Sequence, residues 1–402
     1  MCVKRNDGAK YGRAVSGNIH PGCAMTKGIL PILVTVFFLA FGMSFVAPLI
    51  PLMLKSLGAS SASIGQIQTT YFLSFTVATS LMGRWIDRVG SKKMILSGLM
   101  IFGMAILIMP FMPSAKFFYI IRIVQGVGSA LLFAPTEAAI NIISPPDKRA
   151  SNMGLYGFVF AVGFAVGPAI GTTLYSLNTA APFIFGALSC LVALAVLLLG
   201  FHETPVPVKA SQWDFFRLMR ILKVPLIASA CYAVVEVVIG AFLSLYLDEI
   251  GVGGTALGVV FTFFAIGGMV SPLPAGKLAD KLGKMRVLKA CGLLMIATTL
   301  AFNFFQQYAV ICFLIFCVGL IAGALYPVAL ALIGEIVPPE KMGTANASFS
   351  FAYGLGCIIG PAVTGWILEL YSINFLFYPM AFAALVFVVT TFLGDSKEAL
   401  NP

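Results

Sequence analysis

Gly83-Arg84-Trp85-Ile86-Asp87-Arg88-Val89-Gly90-Ser91-Lys92-Lys93 recurs 193 residues later as Gly276-Lys277-Leu278-Ala279-Asp280-Lys281-Leu282-Gly283-Lys284-Met285-Arg286. The offset is close to half of the 402 residues. Each copy is a short charged loop between long apolar segments, in a chain where charged residues make up 10%. The same offset pairs Gly58 with Gly251, Gly65 with Gly258, Gly126 with Gly319, Pro145-Pro146 with Pro338-Pro339, and Gly167-Pro168 with Gly360-Pro361. The chain reads as a tandem duplication. Parallel repeats of membrane segments imply a secondary transporter.

The composition places the repeats in lipid. Hydrophobic residues make up 60% of the chain and the mean hydropathy is +1.00, more apolar surface than a soluble domain can cover. Twelve apolar runs are long enough to cross ~30 Å of hydrocarbon at ~1.5 Å per residue. They lie at about 28–54, 63–82, 94–113, 117–143, 151–175, 181–201, 224–247, 255–275, 287–306, 308–337, 343–368 and 373–394. All should be helices, because lipid leaves open strands unsatisfied. The expected fold is an all-α membrane protein of twelve transmembrane helices in two pseudo-symmetric six-helix bundles, 25–201 and 224–394. A linker at 202–223 carries the amphipathic stretch Trp213 to Arg220, expected on a membrane surface. Residues 1–24 and 395–402 read as tails, the first without the apolar core of a signal peptide.

The net charge of +10 raises the possibility of a nucleic-acid partner, but the placement of the cations argues against one. Of 25 Lys and Arg, 22 fall on one side of a twelve-span topology; Lys55 and Lys116 fall opposite, and Arg122 lies inside a span. By the positive-inside rule both termini are cytoplasmic. A basic excess also suits an anionic inner leaflet. The eight cysteines lack metal-ligand spacing and the two histidines form no cluster, so neither metal nor cofactor is expected. No Gly-x-x-x-x-Gly-Lys-Ser/Thr loop occurs, which leaves ion gradients as the energy source.

The paired motif, Gly-x-Leu-Ala-Asp-Arg/Lys-x-Gly-Arg/Lys-Lys/Arg, resembles the signature of the major facilitator superfamily, and the resemblance covers about residues 25–395. The second copy fits at Gly276, Leu278, Ala279, Asp280, Lys281, Gly283 and Lys284; the first departs at Trp85, Ile86 and Ser91. The resemblance implies that Asp87 and Asp280 brace a cytoplasmic gate, with Arg88 or Lys281 as a partner and Glu335 as a second acid. Gly83 and Gly276 would permit close helix approach, with Gly90 and Gly283 completing the motif. The place matching Glu335 in the first half is Ile142. The other Lys and Arg of these loops, Lys92, Lys93, Lys284 and Arg286, read mainly as topology markers.

Arg122 and Gln125 are three residues apart and share a helix face beside Gly126. The sequence Arg-x-x-Gln-Gly is similar to a span-4 motif common in proton-coupled members; the alternative is an arginine snorkelling to the nearby interface. Gly163, Gly167, Pro168 and Gly171 have the spacing of close helix packing. They also resemble a span-5 motif of drug:proton antiporters. Glu236 sits near the middle of span 7 with Val234, Val235, Val237 and Val238 around it. A charge there costs about 2.5–3.5 kcal/mol on insertion scales, so a carboxyl that takes up and releases a proton is the expectation. Glu137 lies in span 4, about 22 Å along the helix from Arg122 at ~1.5 Å per residue, too far to pair, and could bind cargo or line a vestibule. A structural hydrogen-bonded carboxyl is the alternative for either. Span 1 carries no acid.

The sequence is thus expected to encode a monomeric secondary transporter of the bacterial inner membrane, not an enzyme. Its partners are the lipid bilayer, a small-molecule substrate and protons or another coupling ion. Proton-coupled efflux of small, partly hydrophobic molecules is the leading reading, with Glu236, Arg122, Glu137 and Gln125 on the translocation path. The rivals are an importer or a sugar or metallophore carrier of the same fold, and, remotely, a membrane receptor or enzyme.

Overall fold

The computed structural model describes residues 21–145, 148–201, 220–338 and 342–393, and of 21–27, 83–87, 149–150 and 342–343 the backbone alone. Among the described residues the regular structure is helical, without strands. The first half comprises α1 (Pro21–Val46), α2 (Leu49–Ser56), α3 (Ser61–Val89), α4 (Ser91–Ile108), α5 (Phe117–Ile143), α6 (Arg149–Leu177) and α7 (Ala181–Gly200). The second comprises α8 (Lys223–Glu249), α9 (Gly254–Val270), α10 (Pro272–Leu282), α11 (Lys284–Ala301), α12 (Tyr308–Ile336), α13 (Met342–Leu370) and α14 (Phe377–Leu393). The amphipathic stretch from Trp213 lies outside the described residues, apart from Arg220 at its end.

Two runs that read as continuous are broken. The first span divides at Ala47-Pro48 into α1 and α2. The run 255–275 divides into α9 and α10, which meet at 41° beside Pro272. A proline lacks the N–H that would continue the ladder and its ring crowds the carbonyl four residues back. Among the described residues nine helices are long and apolar enough to cross a membrane, or ten with the bent pair as one. Two further helices are more polar: α3, with Gln66, Gln68, Thr69 and Thr70, and α11, which opens with Lys284, Arg286 and Lys289. Protein flanks both: α3 packs between α5 and α13, and α11 between α12 and α14.

Both copies of the charged motif end one helix and start the next. Gly90 and Gly283 sit at the junctions with φ of 88° and 93°, where a side chain is strained. The motif glycine is therefore a backbone requirement.

The halves meet along two helix pairs, α3 with α13 and α6 with α9. A Cβ at Gly65 would collide with the Pro361 carbonyl, and one at Gly258 with the Pro168 carbonyl. Thr69 Oγ1 donates to the Ile358 carbonyl at 2.9 Å, and Thr262 Oγ1 to the Ala165 carbonyl at 2.9 Å. Every residue of one set lies 193 positions from its counterpart in the other, so the duplication is written into the interface itself.

These contacts gather toward the face that holds Lys55. There Lys55 Nζ pairs with Asp248 Oδ2 at 2.9 Å and lies 3.7 Å from Glu249 Oε2. Thr173 and Thr255 share a hydrogen bond of 2.8 Å, and the Ala62 N–H donates to Glu369 Oε2 at 3.3 Å. Lys55 and Asp248 are themselves 193 residues apart, so that position meets its own repeat counterpart. Toward the other face, which carries Lys92, Lys93, Lys281 and Lys284 and is called the basic face below, Gly154 and Gly157 of α6 and Gly276 of α10 have nothing within 4 Å of where a side chain would begin. Among the described residues these polar contacts between the halves lie opposite the basic face.

Reversing Lys55 to Asp sets three acids against one another at the closed end. The pair is half exposed, worth about 1 kcal/mol or less, so Lys55→Asp should raise the population open at that end by up to about fivefold. The double variant Lys55→Asp with Asp248→Lys should restore it. Distances between spin labels placed on residues 57 and 250 would report both.

Candidate functional site

Arg122 enters the first half from α5 and does not snorkel. It is 7% exposed. One guanidinium nitrogen donates to Gln125 Oε1 at 2.8 Å and the other to Gln68 Oε1 on α3. The guanidinium carbon lies 5.2 Å from the centre of the Tyr71 ring, whose hydroxyl pairs with Ser129 Oγ at 2.9 Å. The i, i+3 spacing aims Gln125 at Arg122. Gly126 then lets α5 seat on α3, because a side chain there would strike Ser74 and the Tyr71 carbonyl. The counterpart Gly319 seats α12 on the Phe264 carbonyl in the same way. Both partners of Arg122 are neutral amides, and its Nε, buried, has no acceptor among the described residues.

Glu236 lies on α8 among tyrosines, not valines. Tyr353 on α13 donates its hydroxyl to Glu236 Oε2 at 2.8 Å, and the Tyr232 hydroxyl is a second polar neighbour. The valines adjacent in sequence point elsewhere around the helix, whereas Tyr232 is one turn earlier and shares the face. Ring centres of Tyr232 lie 5.1 Å from Tyr326 and 6.0 Å from Tyr353, and Tyr326 lies 4.9 Å from Phe349. The first half carries a matching wall, with Phe133 5.8 Å from Phe160. By the 193-residue offset, Phe133, Phe160 and Tyr156 are the counterparts of Tyr326, Tyr353 and Phe349.

Glu137 lies on α5, one turn beyond Phe133. Its side chain is exposed. Among the described residues no hydrogen bond or ion pair engages it.

Of the gate motif, Gly83 and Asp87 have only their helical backbone described, and Arg88 is exposed at the end of α3. Asp280 and Glu335 are joined through a cation, but that cation is Lys284, not Lys281. Lys284 Nζ lies 3.8 Å from Asp280 Oδ1 and bonds Glu335 Oε1, tying α10, α11 and α12 together. Lys284 is therefore more than a topology marker; only its shielded side chain, 15% exposed, sets it apart from its neighbours. Gly276 makes no close helix approach. The span-5 glycines do: side chains at Gly163, Gly167 and Gly171 would strike Phe37, Ser44 and Phe45 on α1. Pro168 turns the other way, toward Gly258.

Two helical halves, a repeated charged motif at their basic face and a polar site between them describe one family, and the model of the Major Facilitator Superfamily matches residues 32–234 and 225–402. The chain belongs to the Major Facilitator Superfamily. Among curated members it is similar to the uncharacterized MFS-type transporter YfkF of Bacillus subtilis, at 26% identity across 92% of this chain and 95% of the relative. It is 27% identical to multidrug resistance protein 2 of the same organism, across 90% and 93%. The fold matches solved superfamily structures. The nucleoside transporter NupG aligns with TM-score 0.76 at 16% identity, covering 92% of this chain and 99% of that one. A bacterial homolog of the human lysosomal transporter Spinster aligns with TM-score 0.75 at 14% identity, covering 94% and 96%. Superfamily members are multi-pass membrane transporters of small molecules, not enzymes.

The Gln125 amide is one of the two acceptors that hold the buried Arg122. Gln125→Leu should cost about 1–3 kcal/mol, because it leaves a charged donor unmet. A lowered melting temperature in detergent measures the loss, and Arg88→Ala on the exposed end of α3 should leave it unchanged.

Proposed function

We propose that this chain is a proton-coupled exporter of small, partly hydrophobic molecules in a bacterial inner membrane, working as a monomer by alternating access. The observation that carries the proton is Glu236: a carboxyl with no cationic partner among the described residues, held by a tyrosine hydroxyl from another helix. Taking up a proton removes the charge, and with it the cost of a carboxylate at that depth. The Tyr71 ring under Arg122 lies 4.8 Å from that of Phe72, which packs against the same second-half cluster as Tyr353, so the two sites adjoin. The aromatic walls suit partly hydrophobic cargo. The relationship to a multidrug resistance protein favours export.

In this reading all twelve segments cross the membrane, with 25–201 and 224–394 as the moving bodies and 202–223 as their tether. The basic face is cytoplasmic, following the placement of the cations. Asp87 and Asp280, with Arg88, Glu335 and Lys284, brace that face when the transporter opens outward. The span-5 set Gly163, Gly167, Pro168 and Gly171 fixes α6 between α1 and α9, the seam on which the halves rock.

Glu236→Gln keeps the shape of the neutral acid but cannot release a proton. In proteoliposomes the variant should lose accumulation driven by a pH gradient, by tenfold or more, while exchange without a gradient survives. Accumulation equal to wild type would make Glu236 structural. For orientation, reporter fusions after residue 60 should read external and those after residue 210 cytoplasmic; the reverse would invert the assignment.

A further inference from the structure

We propose that a pocket inside the second half, away from the seam between the halves, is a binding site for a small polyol.

Three segments meet there. Tyr246 comes from α8, two residues before the Asp248 that pairs with Lys55. Phe302, Asn303 and Gln306 follow α11, and Asn374 and Phe377 come from the 3₁₀ turn Ile373–Leu376 and the start of α14. They surround a cavity of about 150 Å³. A water takes up about 30 Å³ of liquid and drug-sized pockets start at about 300 Å³, so this one suits a molecule of about ten non-hydrogen atoms.

The floor is packed and the rim is polar. Phe302 and Phe377 stack with ring centres 4.0 Å apart, and Tyr246 lies edge-on to Phe377 at 5.1 Å. All three are 2% exposed or less. Packing fixes the tyrosine ring, yet its hydroxyl has no hydrogen-bond partner among the described residues. A buried hydroxyl left unmet is costly, and a ligand oxygen in the cavity would complete it. The Gln306 and Asn374 side chains make no hydrogen bond among the described residues either, and Asn303 spends one donor on the Leu300 carbonyl at 3.1 Å.

The wall therefore offers three carboxamides and a hydroxyl, with no acid, lysine, arginine or histidine. A charged ligand would find no counter-ion, and an apolar one would leave the wall unmet. A hydroxyl donates and accepts at once and rotates to suit, so a chain of hydroxyls matches mixed amide donors and acceptors. The scaffold does not require this polar set. By the 193-residue offset, the counterparts of Tyr246, Asn303, Gln306 and Asn374 are Met53, Pro110, Pro113 and Ala181, all apolar.

Xylitol is the probe and its acid analogue xylonate the control, each measured by saturation-transfer NMR on the purified full chain in detergent. Polyols stabilise proteins by exclusion from the surface, so binding is read directly and not from melting. Xylitol should bind with a Kd of about 1–10 mM, in keeping with about ten non-hydrogen atoms, and xylonate about fivefold or more weakly. Tyr246→Phe removes one oxygen. It should weaken xylitol about fivefold and leave the melting temperature of the ligand-free chain unchanged, because that hydroxyl holds nothing within the protein. Asn374→Ala should weaken xylitol similarly, and Glu236→Gln should bind it as wild type does. No transfer to xylitol would mean a pocket for water alone and overturn the proposal. So would wild-type affinity in Tyr246→Phe, a lowered melting temperature in that variant, or equal binding of xylonate. Loss of xylitol binding in Glu236→Gln would place the polyol between the halves and also overturn it.

Discussion

Lipid is as apolar as a leucine side chain, so no hydrophobic drive holds the two halves together inside the membrane and they must meet by close backbone contact. That constraint explains the small residues at the seam. Gly65 and Gly258 let α3 and α9 rest on the carbonyls of Pro361 and Pro168, and Gly354 rests on Thr76. The hydrogen bonds of Thr69 and Thr262 add direction at little cost in bulk. At these contacts the interface is built from backbone and small side chains. Helices joined by carbonyl, glycine and hydroxyl can come apart and return without repacking a core, which is what alternating access demands of them.

Against that symmetric frame the polar groups are placed without symmetry. The aromatic walls are kept in both halves, Phe133 and Phe160 answering Tyr326 and Tyr353. Arg122 answers Ile315, Glu236 answers Met43 and Glu137 answers Leu330. The packing is shared by the two halves and these polar groups are not. The buried Arg122 shows what such a group requires. Two glutamines and a tyrosine ring surround it, and the Nε still goes unmet. Leaving a buried donor without an acceptor is costly, and natural structures tolerate it where function asks for it.

The duplication, the helical class and the ends of most helices were legible in the sequence because they rest on local rules: apolar run length, charged loops and glycine turns. Arg122 and Gln125 were legible as a pair because three residues on a helix is a fixed geometry. What was not legible came from other helices. Gln68 and Tyr353 reach their partners from segments 54 and 117 residues away. The valines beside Glu236 misdirected the reading, because adjacent residues diverge by about 100° around a helix. Lys284 looked like one cation among several, and only the approach of α12 shows that it joins two acids. The bend between α9 and α10 could have been read from Pro272, had the apolar run around it not seemed continuous.

Lys55 and Asp248 occupy the same place in the two repeats and touch each other. A position that meets its own counterpart lies on the two-fold axis. In a dimer of two identical chains such a position faces a copy of itself, because a two-fold interface is self-complementary. A lysine would face a lysine and an aspartate an aspartate, and either contact would repel. An attractive ion pair on the axis is open only to a molecule whose halves have already been joined and have begun to differ. The pair therefore dates itself: the contact of Lys55 with Asp248 is younger than the fusion that made one chain of two.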